Sequence, residues 1–526
     1  MDQKVIDAAL KAYPPGQARV TLGAVVHDGA CHPQSMVGIP LAMLNRHGLI
    51  AGATGTGKTK TLQLVAEQLS ASGVPVFLAD VKGDLAGIAA PGASSDRVAA
   101  RAAETGYSWQ ARGFPAEFLS LTGERGAQLR ATVSSFGPLL LAKVLGLNET
   151  QASVLTLVFK WADDKGYELY DFPDLRAVLQ FLSGPEGAAE LKDYGGMSKQ
   201  TVGVLLREMV ELEQQGAEEF FGEPEFDLDD LLHVDADGRG RVSVLELTDV
   251  QDKPALFSTF MLWMLARLYS TLPEAGDLDK PKLVFFFDEA HLLFDGASKA
   301  FKDQVEQVVR LIRSKGVGVF FITQSPRDIP ADILGQLGNR VQHALRAFTP
   351  DDEKALKSAA KTFPKTPFYD IAELLTTLGT GEALVTVLSP SGAPTPPFHV
   401  RMVPPSSRMG PLTEPEFNAC LADGAMMRKY QEDVDRESAH EKLAARAAER
   451  ARAEADAEAD AQAAAQARAT SRAASRTTTG RAPRAEKSAL EQIAGSSVVR
   501  SVARTAATTL VRGLLGALMG PTRRRR

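Results

Sequence analysis

One glycine-rich stretch constrains the fold of this chain more than any other segment: Gly52-Ala53-Thr54-Gly55-Thr56-Gly57-Lys58-Thr59. It matches the G-x-x-x-x-G-K-[ST] phosphate loop over its full length. The residues before it, 47–51, predict a short buried strand, and residues 61–69 after it have apolar side chains at helical spacing. Because strand, glycine loop and helix form the required context, the motif predicts an α/β nucleotide-binding domain.

The chemistry of such a loop follows from its backbone. Glycines let successive N–H groups surround phosphate oxygens, and the next helix adds the positive end of its dipole. Lys58 is expected to reach the β and γ phosphates of ATP, and the Thr59 hydroxyl to ligate Mg²⁺. A glycine-rich turn that binds nothing is the alternative, but the agreement of motif and context favours a phosphate loop from Gly52 to Thr59.

A second buried strand ends in a carboxylate. The near-continuous apolar run 74–79 precedes Asp80 and is typical of a strand covered on both faces of a parallel sheet. Asp80 is therefore expected at the carboxyl edge of the sheet, where open α/β sheets bind ligands, and we predict that it contributes to nucleotide binding. A capping or surface role for Asp80 stays open.

A third apolar run, 282–287, ends in Asp288 and Glu289, which is the Walker B pattern. Asp288 is expected to hold Mg²⁺, directly or through its water, and Glu289 to orient and polarise the attacking water. A buried strand that happens to end in two acids is the alternative. The intact phosphate loop in the same chain favours the catalytic interpretation.

A fourth buried strand, 316–323, is followed by Gln324. An amide can donate and accept hydrogen bonds, so Gln324 is a candidate to sense the γ phosphate or to position water. A simple strand-end role is the alternative.

The pattern along the chain predicts four parts. Residues 1–45 contain short β-like pieces, and residues 46–404 form the nucleotide domain, interrupted at about 137–235 by an α-helical insertion. Residues 405–485 are rich in Ala, Glu and Arg and predict a helical or disordered linker that cannot bury a core. The basic segment 486–526 has three interpretations: a polyanion-binding tail, a membrane-surface helix, or a helix that docks on its own protein.

Composition excludes several classes of protein. With 526 residues, 44% of them hydrophobic, the chain can bury a large core, and its net charge of −6 argues against a surface that grips nucleic acid everywhere. Cys31 and Cys420 lie far apart in sequence and form neither a metal cluster nor a disulfide framework. We expect a cytoplasmic protein, because the N-terminus lacks a signal-peptide pattern and no apolar run is long enough to span a membrane.

Five segments occur in a characteristic order: HGLIAGATGTGKT, FLADVKGDLAG, GPLLLAKVLGLNETQ, FFFDEAH and VVRLIRSKGVGVFFITQSPRDIP. Over roughly residues 18–404, the chain resembles the bacterial YjgR-type proteins, a HerA-like branch of the HerA/FtsK ATPases. The resemblance implies a RecA-like core with an additional strand in a mainly parallel sheet, a homo-oligomeric ring that is commonly hexameric, and ATP-driven movement of DNA. It also assigns Walker A roles to Lys58 and Thr59, Walker B roles to Asp288 and Glu289, and the strand-end glutamine role to Gln324.

Ring ATPases of this type complete each site with an arginine from the next subunit. We favour Arg130 or Arg346, while Arg310, Arg313 and Arg340 stay as alternatives and a structural role is open for each of them. The chain departs from the characterised HerA resection proteins, because its N-terminal segment is short for a full β-barrel. It also has no recognisable sequence-reading domain or zinc finger, so neither a nuclease partner nor DNA specificity is expected from the resemblance.

Three functional hypotheses follow. The first is a Mg²⁺-dependent ATPase that assembles as a ring and translocates or remodels DNA, with Lys82 or Arg327 in a basic lining. The second is a secretion or conjugation-type motor attached to a membrane partner through the C-terminal segment. The third is a non-motor scaffold whose assembly depends on nucleotide.

Overall fold

A mixed, mainly parallel sheet of twelve strands runs through the part of the chain that the computed structural model describes, residues 2–295 and 297–476. The strands are β1 (Arg19–His27), β2 (Ala30–Pro40), β3 (Gly48–Ala51), β4 (Val76–Asp80), β5 (Ala116–Ser120), β6 (Ala127–Gln128), β7 (Val242–Glu246), β8 (Leu283–Phe287), β9 (Val317–Thr323), β10 (Asn339–Gln342), β11 (Glu382–Thr386) and β12 (Phe398–Met402). Their order across the sheet is β2-β1-β12-β11-β10-β3-β9-β8-β4-β7-β5-β6.

The strand order confirms the predicted RecA-like α/β core with an additional strand. From β10 to β6 all neighbours are parallel, and β9 lies between the phosphate-loop strand β3 and the Walker B strand β8. Strands β3, β4, β7, β8 and β9 are buried at every residue, which explains their continuous apolar sequences. Since these strands are parallel, their carboxyl ends meet at one edge of the sheet.

Helices cover both faces of the sheet. They are α1 (Asp2–Ala12), α2 (Lys58–Ala71), α3 (Asp96–Thr105), α4 (Val133–Val144), α5 (Glu149–Lys165), α6 (Phe172–Ser183), α7 (Pro185–Glu190), α8 (Lys199–Gln214), α9 (Ala217–Phe220), α10 (Pro254–Thr271), α11 (His291–Phe294), α12 (Lys299–Ile312), α13 (Ala331–Leu334), α14 (Pro350–Lys361), α15 (Ile371–Thr377), α16 (Glu414–Asp423), α17 (Ala425–Tyr430) and α18 (Ala439–Arg476). Helices α4 to α9 occupy the expected insertion between β6 and β7, and Trp161 and Phe172 of this layer share one apolar core with Phe77 and Trp263.

The N-terminal residues belong to the same sheet. Strands β1 and β2 form an antiparallel hairpin, and β1 pairs with β12 through Gly23, Ala24 and Val25. Helix α1 precedes the hairpin, where the sequence pattern predicted only β-like pieces. The segment therefore extends the nucleotide domain instead of leading into it as a separate element.

The compact unit continues past the proline-rich exit. Its boundary is Ala447, and the second unit comprises residues 448–526. Phe417 of α16 packs on Phe118 of β5, with ring centroids 4.6 Å apart, and Tyr430 of α17 packs on Phe226. Residues 405–447 are thus part of the folded unit, in contrast to the linker expected from composition. The few apolar side chains of this mostly polar segment pack against the rest of the unit.

Residues 448–471 of the second unit are helical and exposed, in keeping with their lack of apolar side chains larger than alanine. The basic segment 486–526, with its three interpretations, lies outside the described residues. No helix in the described ranges combines the length and hydropathy that crossing a bilayer requires.

Candidate functional site

The phosphate loop joins β3 to α2 and is held by neighbouring strands. Gly52, Gly55 and Gly57 adopt positive φ angles of 154°, 77° and 117°. A Cβ on Gly52 would lie 2.5 Å from the Cβ of His343, so no larger residue fits there. Ala53 N–H donates to the carbonyl oxygen of Ala344 at 2.8 Å, which ties the loop to the end of β10.

The side chain of His343 packs against the phosphate loop and links it to neighbouring elements. Its ring is fully buried, with Nε2 2.9 Å from the Thr61 hydroxyl and Nδ1 2.8 Å from the carbonyl oxygen of Glu382. Burial lowers the pKa of His343 to about 4, so the ring is neutral. The phosphate loop therefore rests on an uncharged side chain that bridges α2 and β11.

Lys58 and Thr59 begin α2 where the phosphate loop ends. The Lys58 ammonium is buried and donates to the carbonyl oxygen of Ala53 at 3.3 Å. Burial lowers the pKa of Lys58, and the carboxylates of Glu289 and Asp288 oppose that shift. Thr59 is half-buried at the same helix start. The Lys58 ammonium thus lies close enough to the predicted Walker B acids for their charges to interact.

Asp288 and Glu289 directly follow β8 and are both buried. Asp288 Oδ1 accepts a hydrogen bond from the Glu289 N–H at 2.9 Å, whereas its buried Oδ2 has no hydrogen-bond partner among the described residues. Burial, reinforced by the charge of Glu289, raises the pKa of Asp288 to about 7. A buried carboxylate oxygen without a hydrogen-bond donor fits the hard oxygen ligands that Mg²⁺ takes.

Glu289 has the left-handed φ of 47°, which is uncommon for a residue with a side chain. Its Oε1 accepts a hydrogen bond from the Lys82 ammonium. Its Oε2 is 3.4 Å from His291 Nδ1, within ion-pair range, but makes no hydrogen bond in the described chain. The predicted water-orienting carboxylate is therefore held on one side by a lysine.

Asp80, predicted to contact nucleotide, organises a loop. Its carboxylate accepts backbone hydrogen bonds from Lys82 at 3.2 Å, Gly83 at 2.8 Å, Asp84 at 3.4 Å and Leu85 at 2.8 Å. Burial raises the pKa of Asp80 to about 6. The observed contacts match the capping alternative, and they place the loop that carries Lys82 beside the Walker B acids.

Gln324 follows β9 as predicted and is exposed in an open groove that His291 and Arg327 also line. The neighbouring Thr323 hydroxyl donates to Asp328 Oδ2 at 2.5 Å, and this carboxylate also accepts the Ser325 N–H at 3.0 Å. The end of β9 is therefore ordered by Asp328, while the Gln324 side chain is directed to the groove.

The two favoured arginines differ in their surroundings. Arg130 is buried, donates to the Tyr430 carbonyl oxygen at 3.4 Å and pairs with Asp433 of its own chain. Arg346 is exposed after β10 and makes no hydrogen bond or ion pair with any described residue. Arg340 is occupied by the carbonyl oxygens of Leu334 and Leu337. Arg346 is thus the better placed of the favoured pair to reach another molecule.

Sequence reasoning missed Glu246 and His343. Glu246 ends β7 as Asp80 ends β4, and the two residues are register partners. The shared signal was an apolar strand that ends in an acid, which the segment 241–246 also shows. The role of His343 had no such signal, because its partners are 282 and 39 residues away in the chain.

Comparison with known proteins gives a consistent family and fold. A family model described as "Helicase HerA-like C-terminal" matches residues 27–525. "DNA double-strand break repair helicase HerA" of Sulfurisphaera tokodaii is 29% identical over 150 residues, which cover 28% of this chain and 29% of that protein. "Probable helicase MJECL08" of Methanocaldococcus jannaschii is 27% identical over 155 residues, 28% of each chain. The matches therefore span less than a third of these relatives.

Among solved structures, the plasmid coupling protein TrwB in complex with the ATP analogue ADPNP superposes with a TM-score of 0.50 at 16% identity, covering 77% of this chain and 92% of that one. At this identity the likeness concerns the fold alone.

Proposed function

We propose, because this chain belongs to the helicase HerA-like C-terminal family, that it is an ATP hydrolase that moves or remodels DNA. The observation that carries the proposal is the joint placement of Lys58, Asp288 and Glu289 at the carboxyl edge of the parallel sheet, where β9 separates the strands that precede them. A phosphate loop supplies binding, and the two acids supply the groups that hydrolysis requires.

Binding would use the backbone first. The glycine loop presents N–H groups to the β and γ phosphates, and the Lys58 ammonium neutralises their charge. Thr59 and the unpartnered Asp288 Oδ2 would hold Mg²⁺, which screens phosphate charge when bound. Ionisation of Asp288, whose pKa is raised to about 7, becomes favourable once a cation is adjacent.

Hydrolysis would use Glu289 as the group that orients and polarises water for attack on the γ phosphate. The water oxygen bonds to the γ phosphorus as the bond from that phosphorus to the β–γ bridging oxygen breaks, and the products are ADP, inorganic phosphate and the proton that the water loses. Gln324, at the end of the strand between β3 and β8, would couple loss of the γ phosphate to movement of the groove that it lines. Arg346 of a neighbouring subunit would complete the site, which requires a homo-oligomer such as a hexameric ring.

The DNA step rests on the family and on the names of relatives, and it separates this proposal from the other two sequence-based hypotheses. Steady-state ATP hydrolysis should be measured with no DNA and with single-stranded, duplex and forked DNA, while native mass determination reports the assembly state. We expect DNA to stimulate turnover of the assembled form, and Lys58→Ala and Glu289→Gln to abolish it. An ATP hydrolysis rate that none of the DNAs changes would favour a motor for protein cargo. A chain that binds ATP but does not hydrolyse it would favour the scaffold.

A further inference from the structure

Hydrogen bonds hold the backbone around Lys82 in place. Its own N–H, and those of Gly83 and Leu85, donate to the buried Asp80 carboxylate. The carbonyl oxygen of Val81 accepts a hydrogen bond from Gln251 Nε2 at 2.6 Å. Because the backbone is held on both sides, any movement of the ammonium must come from rotation of the Lys82 side chain alone.

The Lys82 ammonium faces both the site and solvent. It donates to Glu289 Oε1, yet 47% of the side chain is exposed, whereas only 6% of the Glu289 side chain is. A long, half-exposed lysine side chain changes rotamer at little cost, while the carboxylate beside β8 is confined. Lys82 is thus the mobile partner of this pair.

Basic and acidic side chains face each other at the site before nucleotide binds. Lys58 and Lys82 face Asp288 and Glu289, and each lysine is influenced by both acids. A triphosphate brings one phosphate more than ADP, and with ATP bound that phosphate would lie where Glu289 directs water. The Lys82 ammonium contacts Glu289 and also interacts with the charge of Lys58, so it would lie near the γ-phosphate oxygens of bound ATP.

We propose that Lys82 is a second phosphate-contacting lysine of this site, whose ammonium exchanges between Glu289 in the nucleotide-free chain and the γ phosphate of bound ATP. This inference rests on the proposed ATPase function. In the exchange no covalent bond changes: one hydrogen bond to Glu289 breaks and one to a phosphate oxygen forms. Glu289 is released to orient water only when a γ phosphate is present. The Lys82–Glu289 hydrogen bond therefore keeps the carboxylate from orienting water when ATP is absent.

The test compares binding of a non-hydrolysable ATP analogue and of ADP, each with Mg²⁺, to the full-length chain by calorimetry. The variants are Lys82→Gln, Lys82→Arg, and Lys60→Gln as the matched control. Lys60 is also close to the phosphate loop, but it faces Asp84 and Asp80 and makes no hydrogen bond to Glu289 among the described contacts. Lys82→Gln should lower analogue affinity about tenfold, because the hydrogen bond to phosphate is stronger than the bond to Glu289 that it replaces, and should leave ADP affinity within about twofold. Lys82→Arg should restore most of the loss, and Lys60→Gln should change both affinities by a similar factor.

The exchange itself is tested in a Glu289→Gln background. In that background the Lys82 ammonium does not have to break a hydrogen bond to a carboxylate when the analogue binds. Lys82→Gln should therefore weaken analogue binding by a larger factor than it does in the wild-type chain. Equal factors in the two backgrounds would overturn the exchange. If Lys82→Gln lowered the affinities for the analogue and for ADP equally, or lowered neither, the proposed γ-phosphate contact would be overturned. The Lys82–Glu289 pair would then serve only to neutralise local charge. If the wild-type chain bound neither nucleotide, the proposed function itself would fail, which is a distinct result.

Discussion

Glu246 offers a quantitative test of the electrostatics beside the site. It is the last residue of β7, 1% exposed, and its Oε1 has no hydrogen-bond partner in the described chain. Arg125 Nε is 3.9 Å from its Oε2, too long for a hydrogen bond. Burial, with the nearby charge of Asp80, raises the pKa of Glu246 to about 8. Glutamine at this position keeps the shape and cannot ionise.

The pH dependence of the free energy of unfolding depends on how the pKa of Glu246 differs between the folded and the unfolded chain. The folded pKa of Glu246, about 8, is above the ordinary glutamate pKa of 4.5, so its contribution to the free energy of unfolding is complete below about pH 4.5 and is lost as the pH rises through 8. Between about pH 6 and pH 8 the unfolded chain is ionised at this residue, while the folded chain largely retains the proton. At about 1.4 kcal/mol per pH unit, with partial ionisation near the upper end, the wild type should lose about 2 kcal/mol through this residue over that interval.

The assay is urea unfolding of the nucleotide-free chain at about pH 6 and about pH 8. Glu246→Gln should gain about 2 kcal/mol relative to wild type on going from the lower to the higher pH. Other buried carboxyls titrate in both proteins and largely cancel from the difference. Replacement of the exposed Glu211 by glutamine controls for the loss of one carboxylate. If wild type and Glu246→Gln showed the same pH dependence, the burial argument for this residue would be refuted.

Three further predictions concern the loop, the C-terminal helices and the neighbouring subunit. Gly52→Ala should reduce ATP affinity about tenfold with the circular dichroism spectrum retained, because the new Cβ meets that of His343 at 2.5 Å; unchanged affinity would contradict the packing. Phe417→Ala should lower the free energy of unfolding by about 3–5 kcal/mol, since its ring packs on Phe118, and a loss below about 1 kcal/mol would separate α16 from the folded unit. Arg346→Ala should reduce turnover about a thousandfold without loss of ATP binding, and unaffected turnover would exclude it as the arginine acting between subunits.

Much of the fold could be predicted from the sequence because local patterns determine it. Continuous apolar runs that end at Asp80, Asp288 and Gln324 indicated parallel strands with a common functional edge, and the phosphate loop located the helix after β3. The proximity of Lys58 to the Walker B acids is in keeping with the same pattern.

The remaining features depend on contacts between distant residues. Nothing local indicates that the Asp80 carboxylate is saturated by its own loop, or that Arg130 is engaged by the segment around Tyr430. The folded state of residues 405–447 was missed because composition averages over a segment, whereas packing depends on single side chains such as Phe417. The contact of Lys82 with Glu289 joins residues 207 positions apart.

The central claim is that the phosphate loop and the Walker B acids form one ATP-hydrolysing site in which binding and chemistry are separable. The most direct measurement is ATP binding and single-turnover hydrolysis on the same preparations of wild type, Lys58→Ala and Glu289→Gln. We expect Glu289→Gln to bind ATP at least as tightly as wild type and to hydrolyse it about a hundredfold to ten-thousandfold more slowly, and Lys58→Ala to lose binding. Hydrolysis by Glu289→Gln at the wild-type rate would contradict the account.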